Sequence, residues 1–447
     1  MDSFLEGQAD EGETVDEMTP FTVSSEEALR KLASYQLPFE GAWILKMVQA
    51  LVAGGTSSEI VISATSEDLS VCGPFPSDWV PESIMRAFLT PEPSEVRSLQ
   101  HLVVGLRVVG LEQKCPFEIH WADGRRLLWD GESFELEQAG AGKPKIWIAL
   151  PVEVEGWLKR GKAASRRNAA MTRVLREGAF VCPLPIYFDG LQVSSLGNCP
   201  SHEVSKESVP ISVLWSRSRL PLWLPPGMSL DALRKSRREE FRGLQEFREG
   251  VLGGLELPSR LSTLAIVSAH VTAPSEDGES DWSIQKGRSV AYWIDDGVVV
   301  HTENLPLEEQ AVSMALMLSA EGLKKDLTTF APLDGPAKLE RVQEAMKSVL
   351  PQVEKMSFDA LPECYEAGGS VSSSLLNSLG GAFLGGVGGL FLAGFSPLVM
   401  VFVGAGAATA VMAGKNMERV RREIVDLLIA GHRAFCEDLR AAVGGGD

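Results

Sequence analysis

The chain has 447 residues, 45% hydrophobic and 23% charged, enough apolar material for two or three domains with their own cores. A formal net charge of −18 speaks against a nucleic-acid binder, which needs clustered lysine and arginine. Six scattered cysteines without a CxxC pair, and six dispersed histidines without HExxH, speak against a disulfide framework or a zinc site and suit a reducing cytoplasm.

Residues 1–23 read as a disordered acidic leader. Its first twenty positions hold seven acids and no base, unlike a secretory signal. Residues 24–200 form the first expected domain. A helix starts at Ser24 or Ser25 as N-cap. A second, "GAWILKMVQALVAG", carries Trp43, Ile44, Met47, Val48, Leu51 and Val52 on a wide apolar face and stops at Gly54 and Gly55. A strand "EIVISAT" comes next, then helices over 80–90 and 95–110. An antiparallel run, "PFEIHWA", "RRLLWDG", "SFELEQA" and "PKIWIALP", follows with a DG turn. The helical stretch 159–176 is rich in arginine and lysine. It reads as a solvated face, or a dock for an acidic segment, ahead of a nucleic-acid contact. A strand and DG turn in "CPLPIYFDGLQVSS" close the domain.

Residues 201–365 predict a second α+β domain. It has strands at "ISVLWSR" and "LSTLAIVSAHVTA", a charged helix between them, an acidic loop over 274–281 and a hairpin "RSVAYWIDDGVVVHT". The segment "AVSMALMLSAEGL" and a helix around 336–355 complete it. His270 and His301 fall in strands with no nucleophile motif beside them and read as structural.

Residues 366–415 differ in kind, with no charge from Ala367 to Gly414. Two apolar runs, Leu375–Phe395 and Leu398–Gly414, are split at Ser396-Pro397. At ~1.5 Å per residue the first just spans a ~30 Å hydrocarbon core. Gly381, Gly385 and Gly389 recur at intervals of four, as do Gly406, Ala410 and Gly414, a spacing that lets two helix backbones meet closely. A membrane hairpin through 375–414, turning at Pro397, is one expectation. A hairpin buried in a soluble dimer core is the other. Residues 416–447 predict an amphipathic helix with Val420, Ile424, Leu427, Leu428 and Phe435 on one face.

The order of elements in residues 25–195 resembles the GHKL ATPase fold shared by Hsp90, MutL, gyrase B and histidine kinases. "KMVQALVAGGTSSEIVI" is similar to that superfamily's first motif, a Glu-x-x-x-Asn helix followed by a glycine turn and a strand. "LSVCGPFP" stands where an Asp-x-Gly-x-Gly loop would come, and "LQHLVVGLRVVG" where a helix N-terminus would meet phosphates. The resemblance implies an α+β chain: a Bergerat-like α/β sandwich, a transducer-like α+β domain and the C-terminal helical hairpin. It also implies that hydrolysis is lost. The general-base glutamate falls on Lys46 and the magnesium-binding asparagine on Ala50, and alanine cannot ligate a hard cation. The adenine-binding aspartate falls on Val71 or Cys72. Gly73 and Gly105 are the glycines left of a vestigial cofactor-binding site. Glu59 or Asp68 could replace the lost acid, but neither lies on that helix. Lys324 and Lys325 stand where a transducer base would reach a γ-phosphate, though a solvated turn is the stronger reading of both.

Three functions follow as expectations. The first is a non-catalytic Hsp90-like scaffold or effector, cytoplasmic and membrane-associated, homo-oligomeric, with a protein partner and a bacterial stress or defence role. It has no metal, no nucleic acid and no cofactor. The second is an ATP-binding chaperone-like protein with an unorthodox site. The third is a soluble structural dimer with the hairpin buried.

Overall fold

A computed structural model describes residues 41–150, 157–194, 208–216, 255–257, 263–272, 283–326, 331–354 and 426–444, with a few isolated positions besides. These residues form an α+β chain with two sheets and six α-helices among them. The leader, most of the first expected helix, the charged helix of the second region, the 274–281 loop and the whole glycine-rich segment 366–415 lie outside the described residues.

The first sheet contains β1 (Ile60–Ala64), β2 (Asp68–Cys72), β3 (Phe117–His120), β4 (Arg125–Trp129), β5 (Phe134–Gln138), β6 (Lys145–Ala149), β7 (Ile186–Phe188) and β8 (Leu191–Gln192). Their spatial order is β5-β4-β3-β6-β2-β1-β7-β8. All neighbours are antiparallel except β1 with β7, where Val61 faces Tyr187 in parallel register. Burial alternates along these strands. Ile60 and Ile62, Leu69 and Val71, and Ile146 and Ile148 point inward, so a single face is covered.

That face is covered by α1 (Trp43–Gly54) and α3 (Arg97–Arg107), with α2 (Pro81–Leu89) and α4 (Trp157–Gly178) alongside. Every residue of α1 from Trp43 to Leu51 is buried, including Lys46 and Gln49. The expected glycine stop is present: Gly55 takes a left-handed conformation (φ 66°) and its N–H reaches the Val52 carbonyl. The helix expected over 95–110 is α3 as far as Arg107 and then a π turn, Val108–Glu112. Gly110 lies in that turn because a side chain there would meet Phe117 and Trp129 at 2.9 Å. The segment matched to an adenine loop begins as strand β2, paired through Asp68 with Ala149, and Val71 is fully buried in the core.

The second sheet contains β9 (Ser208–Ser216), β10 (Leu255–Leu257), β11 (Thr263–Thr272), β12 (Ser283–Ile284), β13 (Val290–Asp295), β14 (Val298–Asn304) and β15 (Val312–Ser319). Its main path runs β10-β9-β11-β15-β13-β14. All eight residues of β15 are buried, as suits a central strand covered on both faces. Helix α5 (Pro336–Glu354) and α6, residues 426–444, share its core through Val342, Met346, Leu428, Phe435 and Leu439. Leu427, expected on the apolar face of α6, is instead 56% exposed. Helix α6 is held by Gln310 donating to Asp438 (3.0 Å) and by Arg440 on Glu354 (2.6 Å). Among the described residues no helix is long and apolar enough to cross a membrane.

Candidate functional site

A close grouping of ionisable residues lies where the β13–β14 turn of the second sheet meets α1 and α3. The sequence Asp295-Asp296-Gly297 makes this turn. Asp296 (φ 46°) and Gly297 (φ 76°) are both left-handed, the geometry a two-residue hairpin loop needs and the reason for its Asp-Gly. A side chain at Gly297 would stand 2.8 Å from Pro183 Cδ and 3.2 Å from Cys182 Sγ. Only glycine lets the tip come this close to the chain that follows α4.

Four residues of the first unit's helices face the tip. Gln49 Nε2 donates to the Asp295 carbonyl at 2.8 Å. Arg97, the first residue of α3, spreads its guanidinium over both acids: Nη2 lies 2.5 Å from Asp295 Oδ1 and Nε 2.6 Å from Asp296 Oδ2. His101, one turn along α3, stands with Nε2 2.9 Å from Asp296 Oδ2. Lys46 is one turn from Gln49 on α1, 4% exposed, and feels the charge of both aspartates. From the second unit, Lys325 Nζ lies 2.6 Å from Asp295 Oδ1. Glu321, half-exposed, lies 3.9 Å from Arg97 at the rim.

The electrostatics follow from burial first. Desolvation lowers Lys46 to about 7, and Lys325 and Arg97 push the same way, while Asp295 and Asp296 only partly restore it. Burial also pushes His101 below its ordinary value, against its bond to Asp296. A carboxylate only accepts, so the His101 tautomer carries its proton on Nε2. Burial works to raise Asp295, yet the Lys325 and Arg97 cations outweigh it and hold the carboxyl below the usual range. Arg97 is raised, its two aspartates prevailing over burial.

His101, Asp295 and Asp296 present ligand atoms within 4.8 Å of one another, the spacing of a metal site. The donor set does not fit one. Both carboxylates are already neutralised by Arg97 and Lys325, with Lys46 behind them, so a cation would enter a field set against it.

The residues singled out from sequence divide clearly. Lys46 and Lys325 are brought together at Asp295, whereas Lys324 is exposed. Ala50 is fully buried on α1. Gly105 sits inside α3, where a Cβ would meet Met47 Cε at 2.9 Å and Lys46 Cβ and the Trp43 carbonyl at 3.2 Å. Gly73 follows β2, and a Cβ there would be 3.0 Å from Ser57 Oγ. Each glycine thus sits at a close packing contact, with different neighbours. Glu59 is exposed and Asp68 half-buried, both off α1. Sequence reasoning missed Gln49, Arg97, His101, Asp295 and Asp296. The one signal was the doubled acid in "WIDDGVV", since a two-residue turn needs only one.

No family model matches this chain, and no curated protein does. Among solved structures, one described as the crystal structure of the N-terminal domain of a DNA repair protein is similar at 10% identity. That match covers 66% of this chain and 89% of the other, with a TM-score of 0.29, too low to bear on fold or function. What the chain itself defines is a two-sheet α+β protein whose units are joined by a partly buried charge cluster.

Proposed function

We propose that the chain is a non-hydrolysing scaffold or effector of GHKL-like, Bergerat-type architecture, with a transducer-like second unit. The observation that carries this is Lys46. The helix position matched to a general base holds a buried lysine in the electrostatic field of the second unit's aspartates. A base must accept a proton from water within hydrogen-bond reach, and Lys46, 4% exposed, is almost closed off from solvent. Ala50, one turn on, offers no oxygen to a metal. The soluble body engages a protein partner, and the glycine-rich stretch 375–414 engages a membrane, supported by its charge-free length and small-residue spacing. Phosphate release from magnesium-ATP by the full chain is the test. Turnover above background that is lost in an Arg97→Gln variant refutes the reading, and no turnover is the expected result.

A further inference from the structure

Away from the junction, the first unit holds a cavity of about 520 Å³ between α4, the start of α1 and the end of β6, within the ~300–1,000 Å³ usual for small-molecule sites. Its apolar wall is Trp43 of α1, Cys115 after the π turn, Leu150 after β6, and Met171 and Val174 of α4. All of these but Val174 are buried. Along α4, Arg166, Ala170 and Val174 recur at intervals of four, as do Arg167 and Met171, so one stripe of the helix supplies both cations and apolar surface. None of Lys46, Gln49, Gly73, Arg97, His101 or Gly105 lines this cavity.

The two arginines are held differently. Arg167 is half-buried, and its Nη1 donates to the Leu150 carbonyl (2.6 Å) and its Nη2 to the Thr65 carbonyl (3.0 Å). These bonds fix the guanidinium in the wall, and each terminal nitrogen keeps a second N–H. Burial holds its pKa below the ordinary arginine value, outweighing the pull of Cys115 and Asp68. Arg166 is exposed and stands at the rim. Neither arginine makes an ion pair with a described residue, and no acid among the described residues lines the cavity. In a chain with 60 acids against 42 lysines and arginines, this is a local reversal of sign.

We propose that this cavity binds a small organic anion, its apolar body packed between Trp43 and Met171 and its carboxylate held by Arg166 and Arg167. Water alone suits the site poorly, because the apolar wall offers few polar partners. An uncharged apolar solute leaves the guanidinium groups unanswered, and a bare inorganic anion leaves the wall uncovered. A carboxylate on an apolar body meets both needs, with two oxygens for the arginine fork. This binding involves no turnover and stands apart from the non-hydrolysing reading above.

The experiment is calorimetric titration of octanoate into full-length protein at low salt, with octanol as the uncharged control. Octanoate should bind at least about tenfold more tightly than octanol, the worth of hydrogen bonds to a charged group. Ala170→Trp places an indole in the cavity from an exposed helix position, so the melting temperature should hold and octanoate binding should be lost. Arg166→Gln should weaken octanoate about two- to fivefold, as for an exposed cation, and leave octanol unchanged. Arg167→Gln should weaken it about tenfold or more. That variant also gives up the bonds to Leu150 and Thr65, so where it does not fold the other two decide. Octanoate binding no tighter than octanol overturns the proposal, as does undetectable binding at about 1 mM. Unaltered affinity in folded Ala170→Trp also overturns it, because the probe then sits elsewhere on the chain.

Discussion

Replacing Lys46 by methionine should remove a pH dependence of stability that wild type carries. Lys46 has a folded value of about 7 against an ordinary 10.5. Between those values the unfolded chain holds a proton that the folded chain has lost, so stability rises with pH. The slope is at most about 1.4 kcal/mol per pH unit, and from about pH 7.5 to about pH 9 the rise should reach about 2 kcal/mol. The burial cost is fully present below pH 7, where both states carry the proton. His101 and His432, both lowered by burial, contribute only at more acid pH, and Cys115 and Cys436, both raised by burial, only at more alkaline pH. Methionine fills a similar volume without the charge, and Asp295 keeps Arg97 and Lys325 while Asp296 keeps Arg97 and His101. Lys46→Met should therefore flatten the profile and stabilise the protein by ~1–4 kcal/mol near pH 6. Urea unfolding of both proteins across this range is the assay. A flat wild-type profile, or a methionine variant less stable at acid pH, refutes the reasoning.

Gly105→Ala should cost about 1–3 kcal/mol, read from the urea midpoint, because its methyl would press Met47 and the Trp43 carbonyl across the α1–α3 contact. Gly297→Ala should cost a similar ~1–3 kcal/mol, since it meets Pro183 and must also hold a left-handed backbone. Its signature should be faster proteolysis between the two units. In liposome flotation, Val387→Arg should reduce recovery of full-length protein, at ~2.5–3.5 kcal/mol for a charge near the centre of an apolar span. Equal recovery of both proteins would remove the membrane role.

Local pattern made much of the fold legible. The glycine stop of α1, the alternation in β1 and β6, and the Asp-Gly hairpin each follow from a few neighbouring residues. Strand β2 is not legible in local pattern, because its pairing with β6 joins distant positions, from Asp68 with Ala149 to Cys72 with Lys145. The site was half legible. Likeness to a known helix motif drew attention to Lys46, and likeness to a transducer base drew attention to Lys324 and Lys325 without telling them apart. What selects Lys325 is its contact with Asp295, and what gives Lys46 its chemistry is burial under a turn from a distant strand. Arg97 and Asp295 are separated by 198 positions. Helical periodicity reports which face of α3 is apolar, and says nothing of what an arginine at its first turn will meet.

The near-contact between Gly297 and Cys182 has a practical consequence. The Cys182 side chain is fully buried, and the turn stands against it. An excursion that lifts the tip removes one of the groups covering this sulfur, so a rise in its rate of alkylation would report parting of the two sheets. Cys72, half-buried in β2, offers a comparison thiol remote in sequence from that junction. A ratio of the two rates that changes with pH would time the motion in protein of native sequence.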